Sequence, residues 1–276
     1  VKTLPVCKVR EVAYSTFSIL QIFNNGEAYL VEFDNPACVI IRDKALYNIP
    51  YKERIIEGRK IREYRFQVKM NDCFILMSDG VIHAGVGKAL NFGWTWDNMA
   101  HYSVEATNAT LSASRLVSIL SKACDELYMH SPGDDTTIAV ARIIDSKVVH
   151  LFTGPPLEKE KDEEVVQAFL SGNAKRIISG GTSANIVSRI IEKPIKTSLN
   201  YTDKHLPPIA SIEGIDLVTE GVLTLTRTLQ LLKHYIEEDV NEEFFLELDK
   251  ENGGSLIAKM MIEDCTELHM FVGRTI

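Results

Sequence analysis

The feature that most limits what this 276-residue chain can become is a change of grammar near residue 145. Before it, β-branched and aromatic runs are separated by hairpin-type turn signals such as Asn24-Asn25-Gly26 and Asp34-Asn35-Pro36. After it, short apolar runs alternate with loops and helix-length stretches. The first pattern builds antiparallel sheets, and the second builds a mainly parallel sheet covered by helices. The chain is therefore expected to hold two domains, 1–145 and 146–276, with the boundary near Ile144–Lys147.

In the first half, strands are expected at Tyr14–Phe23, Glu27–Phe33, Ala37–Arg42, Ile61–Val68 and Cys73–Ser78. A helix is predicted where Leu116, Leu120, Ala123, Cys124 and Leu127 share a face, with Ser112 or Ser114 as its cap. Thr136–Ile144 closes the half as another strand. Strands on either side of helices describe an α+β domain rather than a doubly wound one.

In the second half, Lys147–Phe152 reads as a strand, Thr153-Gly154-Pro155-Pro156 as a turn, and Asp162–Leu170 as a helix. The acids that open this helix suit its positive dipole end. Arg176–Ile178 then leads through Ser179-Gly180-Gly181-Thr182-Ser183 into a helix reaching Ile190. Ile215–Val218 leads through Thr219-Glu220-Gly221 into another helix, whose Val222, Leu225, Leu229, Leu232 and Ile236 stripe is expected to face the core. Gly253-Gly254 is expected to break the following helix, and Glu267–Val272 reads as a last strand.

Composition narrows the function classes. With 45% apolar and 25% charged residues, bulk disorder and fibrous repeats are excluded. No apolar run approaches membrane-spanning length, so no membrane partner is expected. The five cysteines, at 7, 38, 73, 124 and 265, show no CxxC spacing. That argues against a disulfide scaffold or zinc finger and for a reducing, cytoplasmic compartment. No signal peptide is visible, and the Val1 start leads us to expect a fragment.

The net charge of −8 sits mainly in the second half: 16 basic and 17 acidic residues precede Ser146, and 14 and 21 follow. Acidity disfavours non-specific nucleic-acid binding, and no nucleic-acid partner is expected. Lys52–Lys69, with seven basic residues against three acidic, is either a solvated loop and strand edge or a surface that attracts a phosphorylated partner.

Two carboxylate motifs could carry chemistry. The apolar run Phe74–Met77 delivers Ser78-Asp79-Gly80 at its end, and Gly133-Asp134-Asp135 stands just before the last strand of this half. Hard divalent cations want oxygen ligands and keep several waters, so a few aspartates held on strand ends suffice. Two such ions would activate water and clamp a phosphoryl group. Ser-Asp-Gly and Gly-Asp-Asp are also common turns, and the residues alone leave both readings open.

FILMSDGVIHA (Phe74–Ala84) and GDDTTIAVARI (Gly133–Ile143) resemble two motifs of the SpoIIE-type metal-dependent serine/threonine phosphatases, relatives of protein phosphatase 2C. YSTFSILQI (Tyr14–Ile22) and the Asn35-Pro36 turn resemble that family's earlier strands. The resemblance covers roughly residues 1–145. It implies an α/β/β/α sandwich with two Mn²⁺ or Mg²⁺ ions between its sheets, and direct attack of metal-bound water on phosphoserine or phosphothreonine of a bacterial phosphoprotein substrate. It makes Asp79 and Asp134 catalytic metal ligands and Gly80 a backbone companion. Asp135, where many relatives carry Asn, becomes a ligand or an orienting group.

The family's earlier Asp-Gly motif has no counterpart before Val12, a segment without aspartate. That departure leaves two expectations, a truncated enzyme of little activity or a non-catalytic module that binds a phosphoprotein or a small anion.

The remaining candidates are weaker. His83 is either a proton donor to the leaving oxygen or incidental. His101, His130, His150, His205, His234 and His269 share no metal spacing and are expected to be structural. Cys73 and Cys124 are expected in the core; Trp94 and Trp96 line a cleft or pack a helix start. In the second half, the strand-to-helix loops collect at one sheet end if their strands are adjacent. Gly180, Gly181, Thr182 and Ser183 then form either an anion cradle or a tight turn, with Glu220 placed for a ligand hydroxyl or amine. This half resembles the extension of some clostridial SpoIIE-like proteins, a resemblance that names no activity.

Overall fold

The computed structural model describes residues 15–197, 207–237 and 239–273, and the chain divides into two units, Val1–Ile144 and Asp145–Ile276. The expectations placed on Tyr14, on the segment before Val12, on Cys7 and on His205 lie outside the described residues. No helix among the described residues is long and apolar enough to cross a membrane.

The first unit is α+β. Its strands are β1 (Phe17–Ile22), β2 (Glu27–Phe33), β3 (Val39–Arg42), β4 (Ala45–Leu46), β5 (Tyr51–Ile56), β6 (Arg59–Gln67), β7 (Cys73–Met77) and β8 (Ile138–Arg142). Between β7 and β8 lie α1 (Asp79–Ile82), α2 (Trp96–Ala109) and α3 (Ala113–Leu127). Two antiparallel sheets form, in the orders β1-β2-β6-β5 and β4-β3-β7-β8.

Period-2 alternation explains how these sheets layer. Ile40 and Phe74 turn toward the first sheet, where they share a core with Leu30 and Tyr64. Val39, Ile41, Cys73 and Ile75 turn the other way, against Met99, Leu116, Leu120 and Cys124 of α2 and α3. Buried on both faces, the second sheet is a rigid platform for whatever its strand ends carry.

Charged residues lock the frame. Arg42 is bidentate to Asp72, Nε to Oδ1 at 2.8 Å and Nη2 to Oδ2 at 2.6 Å, and Asp72 also accepts from the Lys69 amide. Buried Glu32 accepts from the Cys38 amide and the Tyr64 hydroxyl, and pairs with Arg62. The basic Lys52–Lys69 stretch is the β5–β6 hairpin, where Arg54 pairs with Glu63 and Lys60 with Glu53.

In the second unit β9 (Val148–Thr153), β10 (Ala174–Ser179), β11 (Lys196–Thr197), β12 (Ala210–Ser211), β13 (Leu217–Thr219) and β14 (Glu267–Val272) form one sheet, ordered β11-β12-β13-β10-β9-β14. The four strands from β13 to β14 are parallel, and β11 and β12 add an antiparallel edge. Helices α4 (Asp162–Leu170) and α5 (Gly181–Ile191) share a core with Phe152, Ile178 and Val218. On the opposite face, α6 (Val222–Glu237) and α8 (Gly253–Glu263) meet Val149, Leu151, Ile177 and Leu217, while α7 (Glu242–Leu248) packs against α6 and α8.

One expectation for α8 is overturned, and one for α6 holds only in part. Of the Val222–Ile236 stripe, Leu225 packs against the sheet core and Leu232 is half-buried, whereas Val222, Leu229 and Ile236 are exposed, and Thr224, Thr228 and Leu231 complete the inner face. Thr228 Oγ1 donates to the carbonyls of Thr224 and Gly254, which lets hydroxyl-bearing residues form the inner face. Gly253-Gly254 does not break a helix. It opens α8 behind the Asn252 cap, because a Cβ on Gly253 would meet Thr219 and Thr224 and one on Gly254 would meet Arg227.

Candidate functional site

The carboxylate motifs of the first unit meet because β7 and β8 pair antiparallel, with Met77 opposite Ile138. Where the ladder ends, Ser78 extends it. Its amide donates to the Thr137 carbonyl at 3.0 Å, and its Oγ accepts from the Thr137 amide at 2.9 Å while donating to the Asp135 carbonyl at 3.1 Å. Asp79 follows as the first residue of α1, and its carboxylate is exposed. Asp134 and Asp135 are exposed on the facing segment, and Asp134 Oδ1 accepts from the Asp135 amide.

Gly80 is required by contact, since a Cβ there would collide with the Asp135 carbonyl oxygen and crowd Thr136 Oγ1. Its own carbonyl accepts from the buried Tyr128 hydroxyl at 2.7 Å. Burial pushes the Tyr128 phenol above its ordinary range, and the neighbouring charges of Asp134 and Asp79 add to the rise. Lys88 Nζ donates to the carbonyls of Tyr128 and Ser131, holding the end of α3 beside the Asp134 loop.

Sequence reasoning missed Ser78, Lys88 and Tyr128. Tyr128 had a signal: it continues the four-residue phase of Leu116, Leu120 and Cys124 and should have been placed under the sheet. His83 is exposed and caps α1, its amide bonded to the Asp79 carbonyl. Trp94 is buried against Tyr102, and Trp96 starts α2 with Nε1 bonded to the Ala37 carbonyl. Cys73 and Cys124 are buried, which raises their thiols to about 11 and about 12.

The donor chemistry fits a hard divalent cation, because Asp79, Asp134 and Asp135 present only oxygen. Among the described residues, no group of three or more His, Cys, Asp or Glu side chains is placed to hold a metal ion.

In the second unit the strand-to-helix loops do collect at one sheet end. Register sets Ser179 beside both Thr153 and Thr219, and Thr153 beside Val272. Ser179 Oγ donates to the Glu220 carbonyl, and the Gly180 amide to the Thr219 carbonyl. Gly180 and Gly181 open α5, Thr182 is exposed, Ser183 is buried, and exposed Glu220 brings Oε1 to 4.0 Å from a Cβ built on Gly181. At the other end of the strands, Lys147 and Lys175 both pair with Asp264.

The family model of stage II sporulation protein E (SpoIIE) matches residues 7–144. No curated protein matches the chain. Among solved structures, the Mn-presoaked phosphatase domain of the cell fate determinant SpoIIE from Bacillus subtilis is similar, with 17% identity and a TM-score of 0.39 over 49% of this chain and 59% of that one. The RsbU and RsbW domains of Rv1364c from Mycobacterium tuberculosis are similar with 17% identity and a TM-score of 0.36, over 56% of this chain and 43% of that one. The chain thus spans about three fifths of the Bacillus domain.

Proposed function

The chain belongs to the stage II sporulation protein E (SpoIIE) family, and from that premise we propose that its first unit is a metal-dependent protein serine/threonine phosphatase. The observation that carries this reading is the junction at the β7–β8 end. Two motifs far apart in sequence present exposed Asp79 and Asp134 from segments tied by Ser78 and Tyr128.

In this reading Asp79 and Asp134 hold Mn²⁺ or Mg²⁺, and Asp135 orients the loop or adds a ligand. When bound, such a cation supplies Lewis acidity toward a phosphoryl oxygen and lowers the pKa of water. The chain's own contribution is placement. Ser78 fixes the spacing of the two segments, Gly80 permits their approach, and Tyr128 holds the turn from inside. The first unit is read as an α/β/β/α sandwich. The substrate is a phosphorylated protein in a bacterial cytoplasm, and the second unit is a ligand-binding or regulatory α/β domain.

The test is Mn²⁺-dependent hydrolysis of a phosphothreonine peptide by the full-length protein, with Asp79→Ala and Asp134→Ala as controls. Activity lost in both variants supports the enzyme. A second reading, a phosphatase-like module that binds a phosphoprotein without hydrolysing it, is favoured by the small number of gathered metal donors among the described residues. Phosphopeptide binding without turnover at any Mn²⁺ concentration would select it.

A further inference from the structure

We propose that the second unit binds a small phosphate ester bearing hydroxyl groups, seated at the amino end of α5 and read by Glu220. The sheet order β13-β10-β9-β14 places the loops after β13, β10 and β9 together at one end of the sheet. Such ends are where open α/β sheets take ligands.

Topology alone would favour the crevice between β9 and β14, where the direction of winding reverses. That crevice is closed by backbone: a Cβ on Gly273 would collide with Pro155 and Gly154. The helix following β9 is also hostile to an anion, because α4 opens with Asp162, Glu163 and Glu164. The neighbouring position, after β10, has the opposite character. Helix α5 has no acid in its first turn and no side-chain cap, so its first amides and dipole face outward past Gly180 and Gly181.

An independent observation points to a ligand there. The Ser183 hydroxyl, in the first turn of α5, is fully buried and has no hydrogen-bond partner. A buried hydroxyl without a partner costs free energy, so its position calls for an acceptor or donor. It is aimed at the cradle: chain neighbours aside, its Oγ is the atom nearest a Cβ built on Gly180, at 3.9 Å. A phosphate oxygen resting on the Gly180-Gly181 turn is the group that this hydroxyl would meet.

Glu220 sets the rest of the ligand. Its carboxylate stands beside Gly181 and accepts hydrogen bonds without donating any. It therefore favours a ligand with hydroxyls next to its phosphate over a bare anion, which it repels. Ser179 and Thr219 steady this arrangement through the Glu220 carbonyl.

The test is isothermal titration of the full chain, in EDTA to silence any divalent site in the first unit, with ribose 5-phosphate, AMP and inorganic phosphate. The expected result is that at least one ester binds about tenfold or more tightly than inorganic phosphate. Binding by ribose 5-phosphate and AMP alike would assign recognition to the sugar phosphate, and binding by AMP alone would add the base. Ser183→Ala and Glu220→Gln should each weaken the ester about tenfold with the circular dichroism spectrum unchanged, and Gly181→Val should abolish binding. Asp79→Ala should leave it untouched, which separates this site from the proposed phosphatase centre. No heat from any ligand at millimolar concentration would overturn the proposal, as would binding that survives both Ser183→Ala and Gly181→Val.

Discussion

The Tyr128 hydroxyl donates to the carbonyl oxygen of Gly80 at 2.7 Å, joining residues 48 positions apart from beneath the sheet. The bond places a buried phenol directly under the turn that presents Asp79. Removing the hydroxyl leaves a carbonyl without its donor, at a cost of about 1–3 kcal/mol. Tyr128→Phe should therefore lower the denaturation midpoint and raise the Mn²⁺ concentration needed for half-maximal hydrolysis. An unchanged Mn²⁺ dependence would reduce Tyr128 to a packing role.

Gly80→Ala tests the close approach of the two motifs. The added methyl meets the Asp135 carbonyl, and relieving that clash displaces the Asp134 loop. Overpacking of this kind costs about 1–3 kcal/mol. Activity should fall much further than stability, as a thermal melt and a phosphopeptide assay on one preparation would show.

The Arg42–Asp72 pair is buried and bidentate. Burial opposes the charge on Arg42, but the Asp72 hydrogen bond dominates and raises its pKa. Asp72→Ala strands that cation in the interior, and urea denaturation should report a loss of about 3–5 kcal/mol. Asp72→Asn should recover part of the loss through its remaining acceptor.

Acid should weaken the second unit through Asp264. Burial pushes this carboxyl up, but hydrogen bonds from Lys147 and Lys175 outweigh it and hold the pKa below the ordinary value. A depressed carboxylate contributes stability above its unfolded pKa, about 3.9, and loses it as pH falls through the lower folded value. Melts followed by circular dichroism from pH 6 to 2.5 should show Asp264→Asn less acid-sensitive than the parent below pH 4.

How much of this was legible follows from where each signal lives. Glu27–Phe33, Asp162–Leu170 and Glu267–Val272 carry their periodicity within the segment, and their bounds coincide with β2, α4 and β14. Helix α2 was missed because its buried side is Met99, Ala100, Ser103, Ala106 and Thr107, mostly small or polar residues with no apolar stripe. Strand β5 was missed because it is exposed along its whole length. The α6 stripe held at Leu225 but misled at Leu229 and Ile236, since hydroxyls satisfied across a helix contact can take places on the inner face. At the site, Asp79 and Asp134 were visible as motifs, whereas Ser78 and Tyr128 act through contacts that span 59 and 48 positions.

That 59-residue span between Ser78 and Thr137 bears on the order in which the molecule is made. On a ribosome, Asp79 emerges well before the segment that completes its surroundings, and loop closure over such a distance comes late. A nascent chain that has not yet released β8 holds one carboxylate motif on an unpaired edge. The junction forms only when α2 and α3 have been synthesised and β8 adds beside β7. The junction between the two carboxylate motifs is thus among the last features of its unit to assemble.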